Sequence, residues 1–370
     1  MDAVDLMTGS ATYAGLLKKY DGFRAPTVHI KAEGTDLDRV FGARVTDLSV
    51  DLTAGFEASG CAFNLLGEYE PRQSGFDPKG ASALLQLGAK VEVAVGYVRT
   101  ETVFRGIVME VEYRFDEDNA PYLHVECVDA KCLLMKTRRI EVMLRKNISD
   151  AVGEMLSARP VSDYLSGREV APMLGDKDTP IYDMMGSDYD FLVKNARMLG
   201  CEFFIIQGKA YFRRPPAAAM PLMTLSPGKG LLSARLALRG GGLVEKVSVS
   251  GLNPQNGEAV RGSFSLRGRF SKGVTAARML ASTEQSVFDA SISSPAAATA
   301  YAKTLGQALK NGFGTLECTC LGIPELAPGR YVRLTGLMPE ANREFYVTGV
   351  RHEVGPNGFQ TSIEARVDGL

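Results

Sequence analysis

The chain has 370 residues, a hydrophobic fraction of 45% and a charged fraction of 23%, ordinary for a soluble globular protein with room for two or three domains. Lys and Arg total 42 against 43 Asp and Glu, so no basic surplus argues for nucleic acid or an anionic membrane surface. No apolar run approaches the ~20 residues of a bilayer span. The opening MDAVDLMTGSATYAGLLKKYDGF has early acids and no apolar core, so it lacks the form of a secretory signal, and synthesis in a cytoplasm is the default expectation.

From Pro26 to Val128 the pattern is of strands separated by turns. Thr27–Ala32, Arg44–Leu52, Ala62–Leu66, Lys90–Tyr97, Val103–Tyr113 and Tyr122–Val128 alternate apolar and polar residues, as antiparallel strands with one buried face do. Asp116-Glu117-Asp118-Asn119 reads as a polar hairpin turn. The period then changes. Asn147 caps a helix carrying Ile148, Val152, Met155 and Leu156 on one stripe, ending by Pro160. Ser187 caps the next, with Asp190 at the third position, Leu192, Ala196 and Leu199 on one face, and Gly200 placed to end it. Cys201–Ile206 and Ala210–Arg213 flank Gln207-Gly208-Lys209 as a tight hairpin. Arg214–Pro221 reads as a linker. Strands return at Val244–Ser250 and Ala259–Ser263, across the turn Asn253–Gly257. Ser294-Pro295 opens a helix with Ala298, Tyr301, Leu305, Ala308 and Leu309 inward and Gly312 at its stop. Thr315–Leu321, Arg330–Leu334, Phe345–Val354 and Phe359–Val367 close the chain as strands.

Two stretches match each other in order. LQLGAKVEVAVGYVRTETVFRGIVMEVEYRFDEDNAPYLHVECV and ELAPGRYVRLTGLMPEANREFYVTGVRHEVGPNGFQTSIEARV each run glycine turn, alternating strand, second glycine, polar loop, aromatic-led strand with a third glycine, polar turn and final strand. The paired glycines are Gly88 with Gly329, Gly96 with Gly336, and Gly106 with Gly349. Turn glycines supply the positive φ that hairpins require, so one β domain used twice is the expected organisation.

Candidates for chemistry are few. The cysteines Cys61, Cys127, Cys132, Cys201, Cys318 and Cys320 form no CxxC, and His29, His124 and His352 are the only histidines, which argues against zinc. Cys318 and Cys320 sit two apart on a strand with parallel Cβ vectors, poor geometry for a disulfide; the six are expected as reduced, small hydrophobes. The acid sets Glu68/Glu70, Glu101/Glu110, Asp116/Glu117/Asp118 and Asp188/Asp190 could serve as general acid and base. All but Glu101/Glu110 fall in expected loops or at a helix start, where carboxylates serve turns and the helix dipole. His352, between Arg351 and Glu353, is expected at an exposed or interface position. G-x-S-x-G, P-loop and G-x-G-x-x-G patterns do not occur; Arg239-Gly-Gly-Gly-Leu243 reads as a domain junction. Met135–Arg145 gathers Lys136, Arg138, Arg139 and Arg145 without stacking aromatics, a solvated face or subunit contact more than a nucleic-acid groove. The expectation is no catalytic, cofactor-binding or metal-binding residues, no cofactor, and no enzyme.

Tyr189-Asp-Phe-Leu-Val-Lys-Asn-Ala-Arg-Met-Leu-Gly-Cys-Glu-Phe-Phe-Ile205 resembles the helix-then-strand segment of phage late control protein D and of VgrG-type baseplate hubs. Pro324–Gly336, Phe345–Glu353 and Gly358–Thr361 look like the closing hairpins of the same family, and Tyr20–Thr27 is similar to the start of its tail-hub members. The likeness runs through nearly the whole chain in order, on loose structural motifs. It implies a mainly β protein with an α+β insert: an arm at 1–25, a first tube-like antiparallel β-barrel domain at 26–140, a small helical α+β domain at 141–221, and a second tube-like β-barrel domain at 222–370. It further implies the central hub of a contractile phage tail or phage-tail-like injection system, a homotrimer whose six barrels join a hexameric tail tube to a trimeric spike. VgrG proteins continue into a further domain and a spike, whereas this sequence stops after its second β copy, so the spike is expected on a separate polypeptide. The implied partners are the tail spike protein, the tail tube or tube-initiator protein, other baseplate proteins, and the tape measure protein or cargo in the lumen, with no specific nucleic-acid recognition and no membrane span. The implied location is a virion tail or extracellular particle baseplate, after cytoplasmic synthesis. The rivals are a baseplate-associated peptidoglycan-degrading enzyme and a monomeric β-rich carbohydrate-binding module.

Overall fold

Period-two alternation becomes sheet almost wherever it occurs. The structure, a computed structural model, describes residues 9–66, 68–70, 75–77, 80–116, 119–138, 141–174, 181–183, 186–216, 221–253, 255–266 and 275–369. Helix α1 (Tyr13–Lys19), capped by Thr12, precedes β1 (Thr27–Ala32), β2 (Thr35–Asp36), helix α2 (Leu37–Phe41), β3 (Arg44–Thr53), β4 (Gly60–Leu66), the small hairpin β5 (Glu68–Glu70) and β6 (Gly75–Asp77), then β7 (Lys90–Gly96), β8 (Thr100–Asp116) and β9 (Asn119–Val128). Within the turn expected at Asp116–Asn119, residues 117 and 118 lie outside the described residues.

The middle unit comprises α3 (Lys131–Lys136), β10 (Glu141–Met143), α4 (Ile148–Ser157), β11 (Gly167–Val170), β12 (Ile181–Asp183), α5 (Asp188–Leu199), β13 (Glu202–Ile206) and β14 (Lys209–Arg213). Both expected helix starts carry full capping boxes, Asn147 with Asp150 and Ser187 with Asp190, and Gly200 ends α5 at φ 66°, satisfying orphan backbone groups at each end. The β13–β14 turn places Gln207 and Gly208 at φ 51° and 77°, the left-handed pair of a tight hairpin. Met155, Leu156, Leu192, Phe203 and Phe212 share one core there. Of the expected linker, residues 217–220 lie outside the described residues.

The last part adds β15 (Thr224–Pro227) and β16 (Gly230–Leu238), which the sequence reading passed over. Next come β17 (Lys246–Leu252), β18 (Ala259–Ser265), α6 (Thr275–Leu280), β19 (Glu284–Phe288) and α7 (Pro295–Asn311), then β20 (Gly314–Leu321), β21 (Tyr331–Leu334), β22 (Glu344–Gly355) and β23 (Gly358–Val367). The strands read at 244–263 exist as β17 and β18, but they form a separate sheet, β18-β17-β19. Helix α7 packs on that sheet around a core of its own. A Cβ at Gly262 would meet the Thr299 backbone at 2.2 Å, so only glycine lets α7 lie so close. Ala298, Ala302 and Gly306 form the buried stripe of α7, with Tyr301, Leu305 and Leu309 packed beside them. Ala308, expected inward, is exposed, because it lies off that stripe.

Apart from β2 and the β5–β6 hairpin, the remaining strands form one motif twice. Spatially β1-β7-β8-β9-β4-β3 and β15-β21-β22-β23-β20-β16 neighbour each other in those orders. Numbered by their own chain order, both sets read first-fourth-fifth-sixth-third-second. Bulges coincide as well. Between the third and second strands the register shifts at Val45/Asp47 and at Leu231/Ser233; between the fifth and sixth it shifts at Val108/Glu110 and at Val347/Gly349. Bulges are placed features of a sheet, so four in matched pairs mark the halves as copies. The Gly88 and Gly329 amides even donate to equivalent carbonyls, those of Val108 and Val347. The third glycine pair does not coincide: the bulges put Glu110, not Gly106, at the place of Gly349, because the hairpins before β8 and β22 differ in length.

The copies differ at the first strand. β15 runs parallel to β21 and pairs with β16, closing a six-stranded barrel, whereas β1 runs antiparallel to β7. The chain is thus mainly β, with tube-like antiparallel barrels and an α+β insert. Phe63 of β4 is fully buried in the core both barrels share. Phe63→Ala should cost about 3–5 kcal/mol, read from the shift of the chemical denaturation midpoint.

Candidate functional site

The two barrels meet through backbone. β21 covers only the start of β22; beyond it, Gly349–Val354 of β22 pairs antiparallel with Thr53–Leu48 of β3. Both halves thereby join one 13-stranded sheet. On the inward face of this seam Leu48, Val50, Leu52, Val350 and His352 are all 3% exposed or less. On the outward face Arg351 pairs with Asp51.

Buried polar ties fix the geometry around the seam. From the N-terminal arm, the Tyr20 hydroxyl donates to Glu325 Oε1 at 2.7 Å, and Lys19 Nζ reaches Glu325 at 2.7 Å and Glu101 at 2.6 Å. Glu101 belongs to the first barrel and Glu325 to the second, so one lysine joins both. Burial, then the Glu325 charge, pushes the Tyr20 phenol far above its usual range. Burial alone would lower Lys19, but its hydrogen bonds to the two carboxylates carry it upward. Around Tyr20 pack Phe23 and Tyr97, and Tyr97 in turn packs on Phe359, ring centroids 5.4–5.9 Å apart. The Tyr97 hydroxyl donates across the seam to Gly322 O at 3.1 Å.

The middle unit grips both barrels. Lys131, fully buried, donates to the carbonyls of Gly55 (3.1 Å) and Glu57 (2.6 Å) in the β3–β4 loop. Asp129 accepts from the Ser59 amide at 2.9 Å. Burial lowers the Lys131 ammonium and raises the Asp129 carboxyl, each opposed by the other's charge. On the other barrel, Glu202 accepts from Arg213 Nε at 3.1 Å and from the Tyr346 hydroxyl, while Arg213 donates to Gly329 O at 2.8 Å. Burial raises Glu202 despite these partners. The sequence reading missed these residues; the signal available was polar residues at apolar parity, such as Glu202 heading an otherwise apolar strand.

His352 is not exposed. It is fully buried at the seam, Nδ1 3.0 Å from Thr361 Oγ1 and Nε2 3.3 Å from Leu326 O. Burial lowers its pKa to about 4, so the ring is neutral and locks the strands together.

The candidate acids do not converge. Glu101 is taken by Lys19, and Glu110 lies about 30 Å further along β8. Asp190 serves its capping box and Asp188 is buried beside it. Glu68 and Glu70 stand on β5 rather than in a loop; Glu117 and Asp118 lie outside the described residues. Lys136, Arg138 and Arg145 are exposed, at a helix end, an isolated bridge and a turn; Arg139 lies outside the described residues. Arg239-Gly-Gly-Gly leads from β16 to the separate β17 sheet, as a junction. All six cysteines are free and buried, with burial pushing Cys127 and Cys318 up to about 12. Among the described residues no three His, Cys, Asp or Glu gather to hold a metal, and no helix is long and apolar enough to cross a membrane.

Two stretches of sheet edge show no paired strand among the described residues. β7 ends its pairing with β8 at Ile107, and among the described residues no strand lies on that side from Glu110 to Arg114. β15 pairs with β16 only at Gly230 and Leu231, and among the described residues no strand pairs with Leu232–Leu238 on the side away from β20. Both edges are apolar and exposed: Tyr113 60%, Phe115 73%, Leu232 54%, Leu238 41%.

This fold is shared with solved phage tail proteins. The chain is similar to the 43 kDa tail protein of prophage MuSo2 from Shewanella oneidensis, at 12% identity and TM-score 0.70, over 92% of this chain and 98% of that one. It is similar to the tail protein of Neisseria meningitidis MC58 at 13% identity and TM-score 0.69, over 93% and 97%. A third likeness, 11% identical with TM-score 0.54 over 91% and 76%, is to an E. coli component of the type VI secretion system described as resembling T4 tail proteins gp27 and gp5. The family profile of the Alg8 N-terminal domain matches residues 24–355, and the chain belongs to that family. No curated protein matches it.

Two outcomes follow. Lys131→Met strands two carbonyls and leaves Asp129 without its counter-charge, so denaturant titration should register a loss of about 3–5 kcal/mol. His352 takes up its proton less readily folded than unfolded, where its pKa is near 6.5. Stability is therefore full above pH 6.5 and falls as pH drops toward 4, by on the order of 3 kcal/mol from this group. His352→Gln should flatten that part of the stability–pH curve; an unchanged slope would contradict the buried neutral ring.

Proposed function

We propose that the chain is the structural central hub of the baseplate of a contractile phage tail or phage-tail-like injection system, a trimeric adapter between a hexameric tube and a trimeric spike. One observation carries the reading: a single six-stranded motif occurs twice, with matched bulges, and the copies sit side by side through β3 and β22. Three such chains supply six similar barrels, which lets threefold material meet a sixfold ring. The tail-protein fold of the solved relatives and the type VI secretion component among them support the same reading. The domains follow the expected division, except that α3 (Lys131–Lys136) packs with the middle unit, and the β17–β19 and α7 unit is an outgrowth of the second barrel. The spike protein, the tube or tube-initiator protein, other baseplate proteins, and the tape measure protein or cargo are the partners this role requires. Its place is the baseplate of the assembled particle.

The work of such a hub is assembly, without a reaction. The scattered acids favour this over a peptidoglycan-degrading tail enzyme, and the exposed apolar edges favour it over a monomeric carbohydrate-binding module. Light scattering on the purified protein should give the mass of three chains, alone or on adding its spike partner. A monomer at tens of micromolar under both conditions would overturn the hub, and clearing of a peptidoglycan suspension, abolished by one carboxylate change, would replace it with the enzyme.

A further inference from the structure

We infer that the tips of the β7–β8 and β21–β22 hairpins, with Val98 and Met338 at their crests, dock the first ring of the hexameric tail tube. The inference rests on the hub reading and deepens it by naming the residues that touch the tube.

Both tips project from the same end of the sheet. From β8 to β22 the sheet passes through β9, β4 and β3, and each step is antiparallel. Four reversals restore the direction, so β8 and β22 run the same way and begin at the same end. The four steps set the two hairpins about 19 Å apart along the sheet.

The tips are built alike, although the second is longer. Each begins at a paired glycine. A Cβ at Gly96 would meet the Arg99 carbonyl at 2.1 Å, and Gly336 sits at φ 77°, so both turns need glycine. The next residue packs inward: Tyr97 is buried, and Leu337 packs against the core that the barrels share. The one after that faces solvent, Val98 at 73% and Met338 at 58%. Both crests are braced. The Tyr97 amide donates to Arg99 O at 2.9 Å. The Leu337 amide donates to Asn342 Oδ1 at 2.9 Å, and Asn342 Nδ2 donates back to Leu337 O at 3.0 Å. Apolar side chains on turns already held in one shape lose little freedom when they bind.

A single exposed apolar residue is ordinary, but one carried at the same place by both copies is a repeated feature. Two other paired places do not match. Leu87, just before the first glycine pair, is 71% exposed, whereas its counterpart Pro328 is buried. At the far end of the same strands the turns are unlike in sequence: acidic Asp116-Glu117-Asp118-Asn119 after β8, and Gly355-Pro356-Asn357-Gly358 after β22. A surface that both barrels carry is offered six times by three chains. A sixfold ring requires that; a threefold spike does not.

The test is binding of the full chain to the tube protein of the same particle, read by co-sedimentation. Val98→Asp and Met338→Asp each set a charge where the contact must be apolar, so each should weaken binding by at least about tenfold. Together they should abolish it, and Val98→Ser with Met338→Ser, which adds no charge, should weaken it as well. The mass of three chains by light scattering, the denaturation midpoint and binding to the spike protein should stay as in the wild type. Tube binding that survives both double variants, or that falls at one tip alone, overturns the inference. The hub reading stands in that case, provided the wild type is trimeric and binds the tube. Loss of spike binding with tube binding intact also overturns it, assigning the tips to the spike. A wild-type protein that is monomeric and binds neither partner brings down both.

Discussion

Everything in this molecule is arranged around a strand edge that one barrel lends to the other. An edge strand carries unpaired amides and carbonyls that must be satisfied or solvated. Here β22 outruns its own neighbour β21, and β3 fills the vacancy. Since the seam's inward face is apolar and buried, a slip of one residue would turn every side chain to the wrong side. The register is therefore fixed, and with it the angle between the barrels. The polar ties follow from that constraint. Lys19 and Arg213 each hold carbonyls or carboxylates from more than one unit, and Lys131 fastens the middle unit to two carbonyls of the β3–β4 loop; each tie is strong because the fold has brought those groups together and excluded water.

Duplication gives the seam its wider meaning. A contact between two copies of one motif, if it is not symmetric, leaves the matching surfaces of each copy unused at the far ends. β8 and β16 hold the corresponding positions at the far ends. The reversed β1 is where the copies part company, and it lies at the barrel position that closes by hydrogen bonds only in the second copy. The first barrel is thus the more open of the two, packed instead against the arm through Leu16, Tyr20 and Phe23.

Much of this was legible in the residues. The strands with one wet and one buried face declared themselves by alternation, and the capped helices by Asn147, Ser187 and Ser294. β16 did not, because the bulge at Leu232 breaks its alternation and an open edge imposes no burial pattern. The β17–β19 sheet was read as barrel, since a hairpin's local pattern does not say which sheet it joins. His352 was misjudged although its parity with Val350 and Val354 pointed inward; charged neighbours at Arg351 and Glu353 belong to the other face. The buried ties at Lys131 and Glu202 were invisible for a general reason: a polar residue within an apolar run carries no mark of the distant partner that satisfies it.

Hydrogen exchange followed by mass spectrometry measures the central claim most directly, because it reports edge amides one segment at a time. Amides of Gly349–Val354 in β22 and Leu48–Thr53 in β3 should exchange slowly, as interior strands of one continuous sheet do. A seam whose amides exchange as fast as those of the exposed turn at Asn256–Glu258 would contradict the account.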